Sequence, residues 1–264
     1  MIVDRMDTSV AHPARRYNYW LGGKDHFAAD RESGDLLAEA FPTARVAALE
    51  NRDFLRRGVR FLAESGVRQF LDVGTGLPVP DNTHEIAQRM APESRVLYVD
   101  NDPIVMTHSR ALTIGTPQGR TGYVEADLRE PEVILAHPEL RAVLDLREPV
   151  ALLLVAVLHF IHDDKQALAV VSRLLDSLPS GSYLVASNLT LDYAPPAQVA
   201  MHEELLASGK TDARARDKSE FGRFFDGLEL VEPGIVAVSD WRPDREERPT
   251  AQDVAIYGAV GRKP

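Results

Sequence analysis

From Gln69 onward the chain alternates short apolar stretches with longer segments of helical period, and this alternation restricts the fold more than any other feature. Gln69–Val73, Arg95–Val99, Gly122–Glu125, Val150–Leu158 and Tyr183–Ser187 read as strands. Between them lie helical patterns at His84–Ala91, Pro103–Leu112 and from about Asp164 to Leu178, where Leu168, Val171, Leu175 and Leu178 share a face. Strands joined by such crossovers pair in parallel through right-handed connections, and helices cover both faces of the sheet. The apolar run Val150–Leu158 suits the centre of that sheet. A helix from Thr43 to Glu64, ended by Gly66, precedes the alternation. Helices at Ala197–Ala207 and Ser219–Phe225 and strands at Leu228–Val231 and Val254–Val260 follow it. Residues 1–42 show no clean period. The expectation is a doubly wound α/β sheet in one domain over residues 1–264, with residues 1–42 as an N-terminal extension.

Composition narrows the function. The 264 residues include no cysteine, which excludes thiol nucleophiles, iron–sulfur clusters, Cys-ligated zinc and disulfides together. Thirty basic residues against 40 acidic ones give a net charge of −10, a field that repels phosphate backbones, so nucleic acid is not expected as a partner. The longest strongly apolar stretch, Val150 to Leu158, is about half a membrane span. Charges at Asp4, Arg5, Asp7, Arg15 and Arg16 leave no apolar run for a signal peptide, and the expected location is the cytoplasm. Asp127–Pro131 recurs as Asp145–Pro149, but one pentapeptide copied once does not make an internal repeat.

Three successive strand ends carry chemistry. The first strand runs into Asp72-Val-Gly74-Thr75-Gly76, whose glycines allow a tight turn and close approach of a ligand to the backbone. Asp72 can accept from the amino group of a cationic ligand. Position 79 is Val where a dinucleotide turn would want a third glycine. The second strand ends at Asp100-Asn101-Asp102-Pro103; Asp100 stands where such folds grip a ribose diol, while Asp102 can cap the following helix. At the third, Asp127 can accept the exocyclic amine of adenine and its neighbour Leu128 can pack on the ring; Asp127 can equally be a turn residue.

This order of residues resembles the class I S-adenosylmethionine-dependent methyltransferases. More narrowly, five segments are similar to the family called S-adenosyl methyltransferase, formerly a domain of unknown function. They are Ala14–Asp25 (ARRYNYWLGGKD), Asn51–Arg57 (NRDFLRR), Gln69–Pro78 (QFLDVGTGLP), Val99–Pro103 (VDNDP) and Val231–Gly234 (VEPG). The resemblance implies the methyltransferase sheet, mostly parallel with an antiparallel seventh strand. It implies S-adenosyl-L-methionine as cofactor and S-adenosyl-L-homocysteine as product but little about the acceptor, for which a small molecule methylated on oxygen or nitrogen is the expectation. The expected cofactor residues are Tyr19, Gly23, Asp72, Gly74, Thr75, Gly76, Asp100, Asn101, Asp127 and Leu128. Pro78 departs from the general class, where glycine often stands, and predicts a longer turn before the next helix.

Tyr17, Tyr19, Trp20 and Gly22-Gly23 could form a lid whose aromatic faces cover a sulfonium, or a helix packed at the sheet edge with the glycines as its cap. Lys24 could pair with the cofactor's carboxylate. At the end of the fourth strand His159 is the candidate general base, because neutral imidazole accepts a proton near pH 7; it can also simply shape the pocket. His159, His162 and Asp163 are poorly spaced for a metal, and none is expected. Asn188, Tyr193, Trp241 and Arg242 should fall in loops at the strand ends. Two other functions remain open at this point: an NAD(P)-dependent oxidoreductase, and a regulatory module that binds the cofactor without catalysis. The oligomeric state is not legible in the sequence.

Overall fold

The computed structural model describes residues 7–112 and 114–264. Helices α1 (Pro13–Trp20), α2 (Ala28–Ala40) and α3 (Ala44–Glu64) precede the first strand. The alternating part follows as β1 (Gln69–Val73), α4 (Thr83–Met90), β2 (Arg95–Asp100), α5 (Pro103–Leu112) and β3 (Arg120–Glu125). Two short helices, α6 (Pro131–Ala136) and α7 (Pro138–Val143), lead to β4 (Ala151–Leu154), α8 (Asp164–Asp176) and β5 (Tyr183–Leu189). The rest is α9 (Pro196–Ala207), α10 (Lys218–Gly222), β6 (Glu229–Leu230), β7 (Val236–Ala237), α11 (Ala251–Val254) and β8 (Ile256–Arg262).

The strand order is β3-β2-β1-β4-β5-β8-β6, with β7 also paired to β8. β1 to β5 pair in parallel, and β8 runs antiparallel to β5, β6 and β7. The sheet is therefore mostly parallel, with the last strand reversed. Period-2 alternation divides each central strand between two cores. Leu71, Val73, Leu97, Val99, Leu152 and Leu154 face the side of α6, α7 and α8. Phe70, Val96, Tyr98, Ala151 and Leu153 face Phe54, Val59 and Leu62 of α3. Burial on both faces is why these strands read as continuous apolar runs.

Several boundaries differ from the sequence reading. β4 stops at Leu154, where the apolar run continues to Leu158. Ala156 takes a positive φ of 57°, its N–H donates to Ser187 Oγ at 2.9 Å, and residues 158–160 close a 3₁₀ turn. Val254 belongs to α11, which ends on left-handed Ala255, so β8 begins at Ile256. Among the described residues of the N-terminal extension, 7–42, there are two helices. α1 starts on Pro13 and closes with left-handed Gly22: Gly22 N–H donates to Tyr19 O and Gly23 N–H to Asn18 O. Arg15, Arg16 and Asn18 of α1 are buried, so no apolar stripe marks it. Among the described residues no helix is long and apolar enough to cross a membrane.

β8 approaches α3 closely only because residue 258 has no side chain. A Cβ there would lie 2.8 Å from Val238 Cγ1 and 3.0 Å from the Phe54 ring. Gly258→Ala should therefore destabilise the fold by about 1–3 kcal/mol through overpacking, read as a lower urea midpoint with unchanged m-value.

Candidate functional site

The ends of β1, β2 and β3 meet around the glycine turn. Gly74 and Gly76 take φ of 75° and 68°. The N–H groups of Gly74 and Thr75 both donate to Val99 O of β2, at 2.8 and 3.3 Å. Gly76 N–H donates to Asp100 Oδ2 at 2.9 Å. A Cβ on Gly74 would strike Val157, whereas one on Gly76 would meet nothing within 4 Å. Gly74 is thus required by packing, and Gly76 faces open space where a ligand can reach the backbone. α4 does not begin until Thr83, the longer turn that Pro78 predicts.

Asp72 is buried, and its Oδ2 accepts from Thr83 Oγ1 at 2.6 Å. Burial pushes its carboxyl up to about 6, against the hydrogen bond from Thr83 and the nearby Arg52 charge. Asp100 is also buried, which raises its pKa; Oδ1 accepts from Asp102 N–H at 3.0 Å and Oδ2 from Gly76. Each of its oxygens keeps a lone pair for a further donor. Asp102 caps α5, its Oδ1 accepting from Ile104 N–H at 2.8 Å. Asn101 Nδ2 donates to Asp127 Oδ2 at 3.1 Å and so bridges the second and third strand ends. Asp127 is held down to about 2, first by the Arg129 side chain, which binds both its oxygens. Leu128 is buried in the core with Val124 and Ile134.

The N-terminal aromatics face their own helices. Tyr17 Oη donates to Ala48 O at 2.9 Å, Tyr19 Oη to Asp35 Oδ1 at 2.7 Å, and Trp20 Nε1 to Gly34 O at 3.3 Å. A Cβ on Gly23 would collide with the Asn18 side chain, so the α1 closure requires glycine. No hydrogen bond or ring contact joins Tyr19 or Gly23 to the strand-end group among the described residues, and Lys24 is exposed without an ion pair. The segment meets the site through other residues. His12 Nδ1 and Arg15 Nε lie 3.1 and 3.3 Å from Asp102 Oδ2, and Ala14 packs on the cluster of Leu77, Ile104 and Met106.

His159 sits in the 3₁₀ turn after β4, buried, with Nδ1 lacking any hydrogen-bond partner. Burial lowers its pKa to about 4. The turn is held by residues that the sequence reading missed. Arg216 donates to Leu158 O (3.0 Å), Ile161 O (2.7 Å), Asn188 Oδ1 (3.0 Å) and Asp164 Oδ1 (3.0 Å). Arg214 N–H donates to His159 O at 2.8 Å. Arg16 of α1 reaches across to Asp212 Oδ1 at 2.6 Å, and His162 Nε2 lies 2.7 Å from Asp212 O. The available signal was Arg214-Ala-Arg216, a period-2 alternation that puts both arginines on one side of an extended segment. Trp241 is not at a rim: it is fully buried against Phe54 and Phe61. No cluster of His, Asp and Glu among the described residues is arranged to hold a metal.

The profile of the S-adenosyl methyltransferase family matches residues 2–264. The chain belongs to this family. It is similar to a DUF574 family protein from Streptomyces avermitilis MA-4680, at 51% identity and TM-score 0.93, over 98% of this chain and 100% of that one. It is also similar to a protein of Thermobifida fusca YX assigned to the methyltransferases, at 42% identity and TM-score 0.88, over 97% and 96% of the two chains. No protein with a curated description matches the sequence.

The protein is accordingly a methyltransferase that uses S-adenosyl-L-methionine, not an NAD(P)-dependent oxidoreductase. The residues present fit that cofactor: open space beside Gly76, free lone pairs on Asp100 and a buried carboxylate at Asp72. A buried carboxylate costs stability until a cation joins it. Because the folded pKa of Asp72 is about 6 against 3.8 unfolded, this cost is present at higher pH and absent below about pH 4. Asp72→Asn should thus raise the unfolding free energy of the ligand-free protein at pH 8 by ~1–3 kcal/mol, with no gain at pH 4. The same variant should bind S-adenosylmethionine at least tenfold more weakly by calorimetry, on the order of one charged hydrogen bond.

Proposed function

We propose that this methyltransferase acts on an oxygen or nitrogen of a small-molecule acceptor in the cytoplasm, with His159 as general base. Bound S-adenosylmethionine supplies an electrophilic methyl group. Cofactor binding is assigned to Asp72, Gly74, Thr75, Gly76, Asp100, Asn101, Asp127 and the backbone beside Leu128. Asp100 takes the ribose hydroxyls while keeping Gly76 in place. Residues 1–42 act as a lid through His12, Ala14, Arg15 and Arg16, not through Tyr19 and Gly23. The net charge of −10 disfavours nucleic acid as the acceptor.

The observation that carries the base assignment is the unpartnered, buried Nδ1 of His159. An orphaned polar atom in a native fold asks for a ligand or water, and this one lies beyond β4 in the crevice where such sheets bind ligands. Asp212, Arg216, Arg16 and His202 set the charge around it. His202 of α9 carries a second buried nitrogen, Nε2, without a partner among the described residues, and burial lowers its pKa. A small polar acceptor would satisfy His159 Nδ1, beside which the Arg16–Asp212 pair links α1 to the segment that holds the turn.

The test is transfer of labelled methyl from the cofactor into a metabolite extract, followed by kinetics on the acceptor found. His159→Ala should cut turnover roughly a hundredfold and leave cofactor affinity intact. With a pKa near 4 the competent neutral imidazole persists through neutral pH. Turnover should therefore stay flat from about pH 6 to 8 and fall only as the pH approaches about 4. Nearly full activity in His159→Gln, with the same pH profile, would remove the base role and point to an amine that attacks through its lone pair. For the cofactor grip, Asp100→Asn keeps an acceptor for Gly76 N–H but loses the charge. Its dissociation constant should rise tenfold to roughly a hundredfold; an unchanged constant would make Asp100 a purely structural clamp.

A further inference from the structure

The segment Asn51–Arg57, singled out in the sequence, faces a second cavity of about 280 Å³ between α3, the loop after the glycine turn and residues 239–248. Five arginines line it, at 56, 57, 60, 245 and 248, in a chain of net charge −10. Four of them are neutralised: Arg56 by Asp53, Arg60 by Asp244, Arg245 by Glu50 and Arg248 by Asp240.

Arg57 is different. It is buried, and among the described residues no carboxylate lies within ion-pair distance of it. Its Nε and Nη2 donate to Trp241 O (2.9 Å) and Val238 O (2.6 Å), which leaves Nη1 without a hydrogen bond. Burial lowers its pKa, outweighing the more distant charges of Glu50, Asp53 and Asp244, so the cation is only partly balanced. Ser239, which lies between the two residues whose carbonyls Arg57 binds and is 1% exposed, has a buried hydroxyl with no partner among the described residues. Two donors, one charged and one neutral, therefore converge on the cavity with nothing to accept from them.

The geometry points to a binding site here for a small oxyanion, a phosphate or a carboxylate, that accepts from Arg57 Nη1 and Ser239 Oγ. A planar or tetrahedral oxyanion offers the two acceptor oxygens this pair needs, and guanidinium matches it better than ammonium does. The carboxylates on the walls pair at close range with the other arginines and offset Arg57 only in part, and their presence limits the site to a compact anion. The cavity also adjoins the cofactor turn. Arg56 Nη2 donates to Pro80 O at 3.3 Å and Arg52 Nη2 to Asp81 O at 2.9 Å, both in the loop between Gly76 and α4. Occupancy of the site therefore steadies the loop that positions Thr83 against Asp72.

The experiment is thermal unfolding and calorimetry of the full chain with inorganic phosphate and, separately, succinate, each against sodium chloride at equal ionic strength. A saturable rise in melting temperature with at least one oxyanion, absent with chloride, is expected; whichever binds more tightly identifies the phosphate or carboxylate source. Ser239→Ala removes only an unpartnered hydroxyl, so it should fold normally and weaken the oxyanion roughly tenfold. Ser239→Asp places a carboxylate beside Arg57 and should abolish the response while S-adenosylmethionine binding persists. Absence of saturation with both oxyanions, an equal response to chloride, or a response unchanged in Ser239→Ala would overturn the site.

Discussion

The hydrogen bond from Gly76 N–H to the Asp100 carboxylate joins the two crossovers on which the cofactor site depends. It ties the turn after β1 to the end of β2, and the second oxygen of the same carboxylate holds Asp102 N–H at the start of α5. One buried charge thus fixes the glycine turn, the second strand end and a helix entry together. Burial makes that charge unfavourable in isolation, and the backbone donors offset part of the penalty. The remaining lone pairs project to the crevice, so the group that orders the ligand-free turn is also the group assigned to the ribose. Asp72 repeats the pattern one strand away, with Thr83 as its single donor.

The turn after β4 rests on a different kind of support. The turn carrying His159 leaves the sheet after Leu154 and would expose its carbonyls if nothing returned to meet them. Arg216 and Arg214 supply that return from beyond α9, binding Leu158, Ile161 and His162 through their side chains. Arg16 and Asp212 link the same segment to α1. Helix α1, the arginine segment and the β4 turn are therefore joined to one another. Their contacts are polar, which is why hydrophobic periodicity did not reveal them.

The pentapeptide shared by Asp127–Pro131 and Asp145–Pro149 shows how far local sequence reaches. In both copies the Asp Oδ1 accepts from the N–H and Nε of the Arg two residues on, and Arg binds the second oxygen. The same residues make the same turn in two places, so the Arg129 clamp on Asp127 is a local property. What distinguishes Asp127 is its place at the end of β3 and its bond from Asn101. Tyr19 and Gly23 illustrate the converse. Their residue types suggested a sulfonium cover, but Tyr19 bonds Asp35 of α2, a contact that needs α1 and α2 packed together, and Gly23 closes the end of its own helix on Asn18.

The sequence by itself determined the parallel sheet, its reversed last strand through family resemblance, and the carboxylates at three strand ends. Those features follow from period, from glycine's access to positive φ and from short-range order along the chain. Only the tertiary structure decided which charges are buried, which are clamped and which lack a partner. Asp72 and Asp127 look alike in sequence, yet burial lifts one carboxyl to about 6 and an arginine holds the other near 2. Asp72 is set by burial and by Arg52 and Thr83 brought to it in space, whereas the clamp on Asp127 is local and only its bond from Asn101 comes from another strand end. The same holds for His159 and Arg57, whose unpartnered atoms become visible only when every neighbouring element is in place.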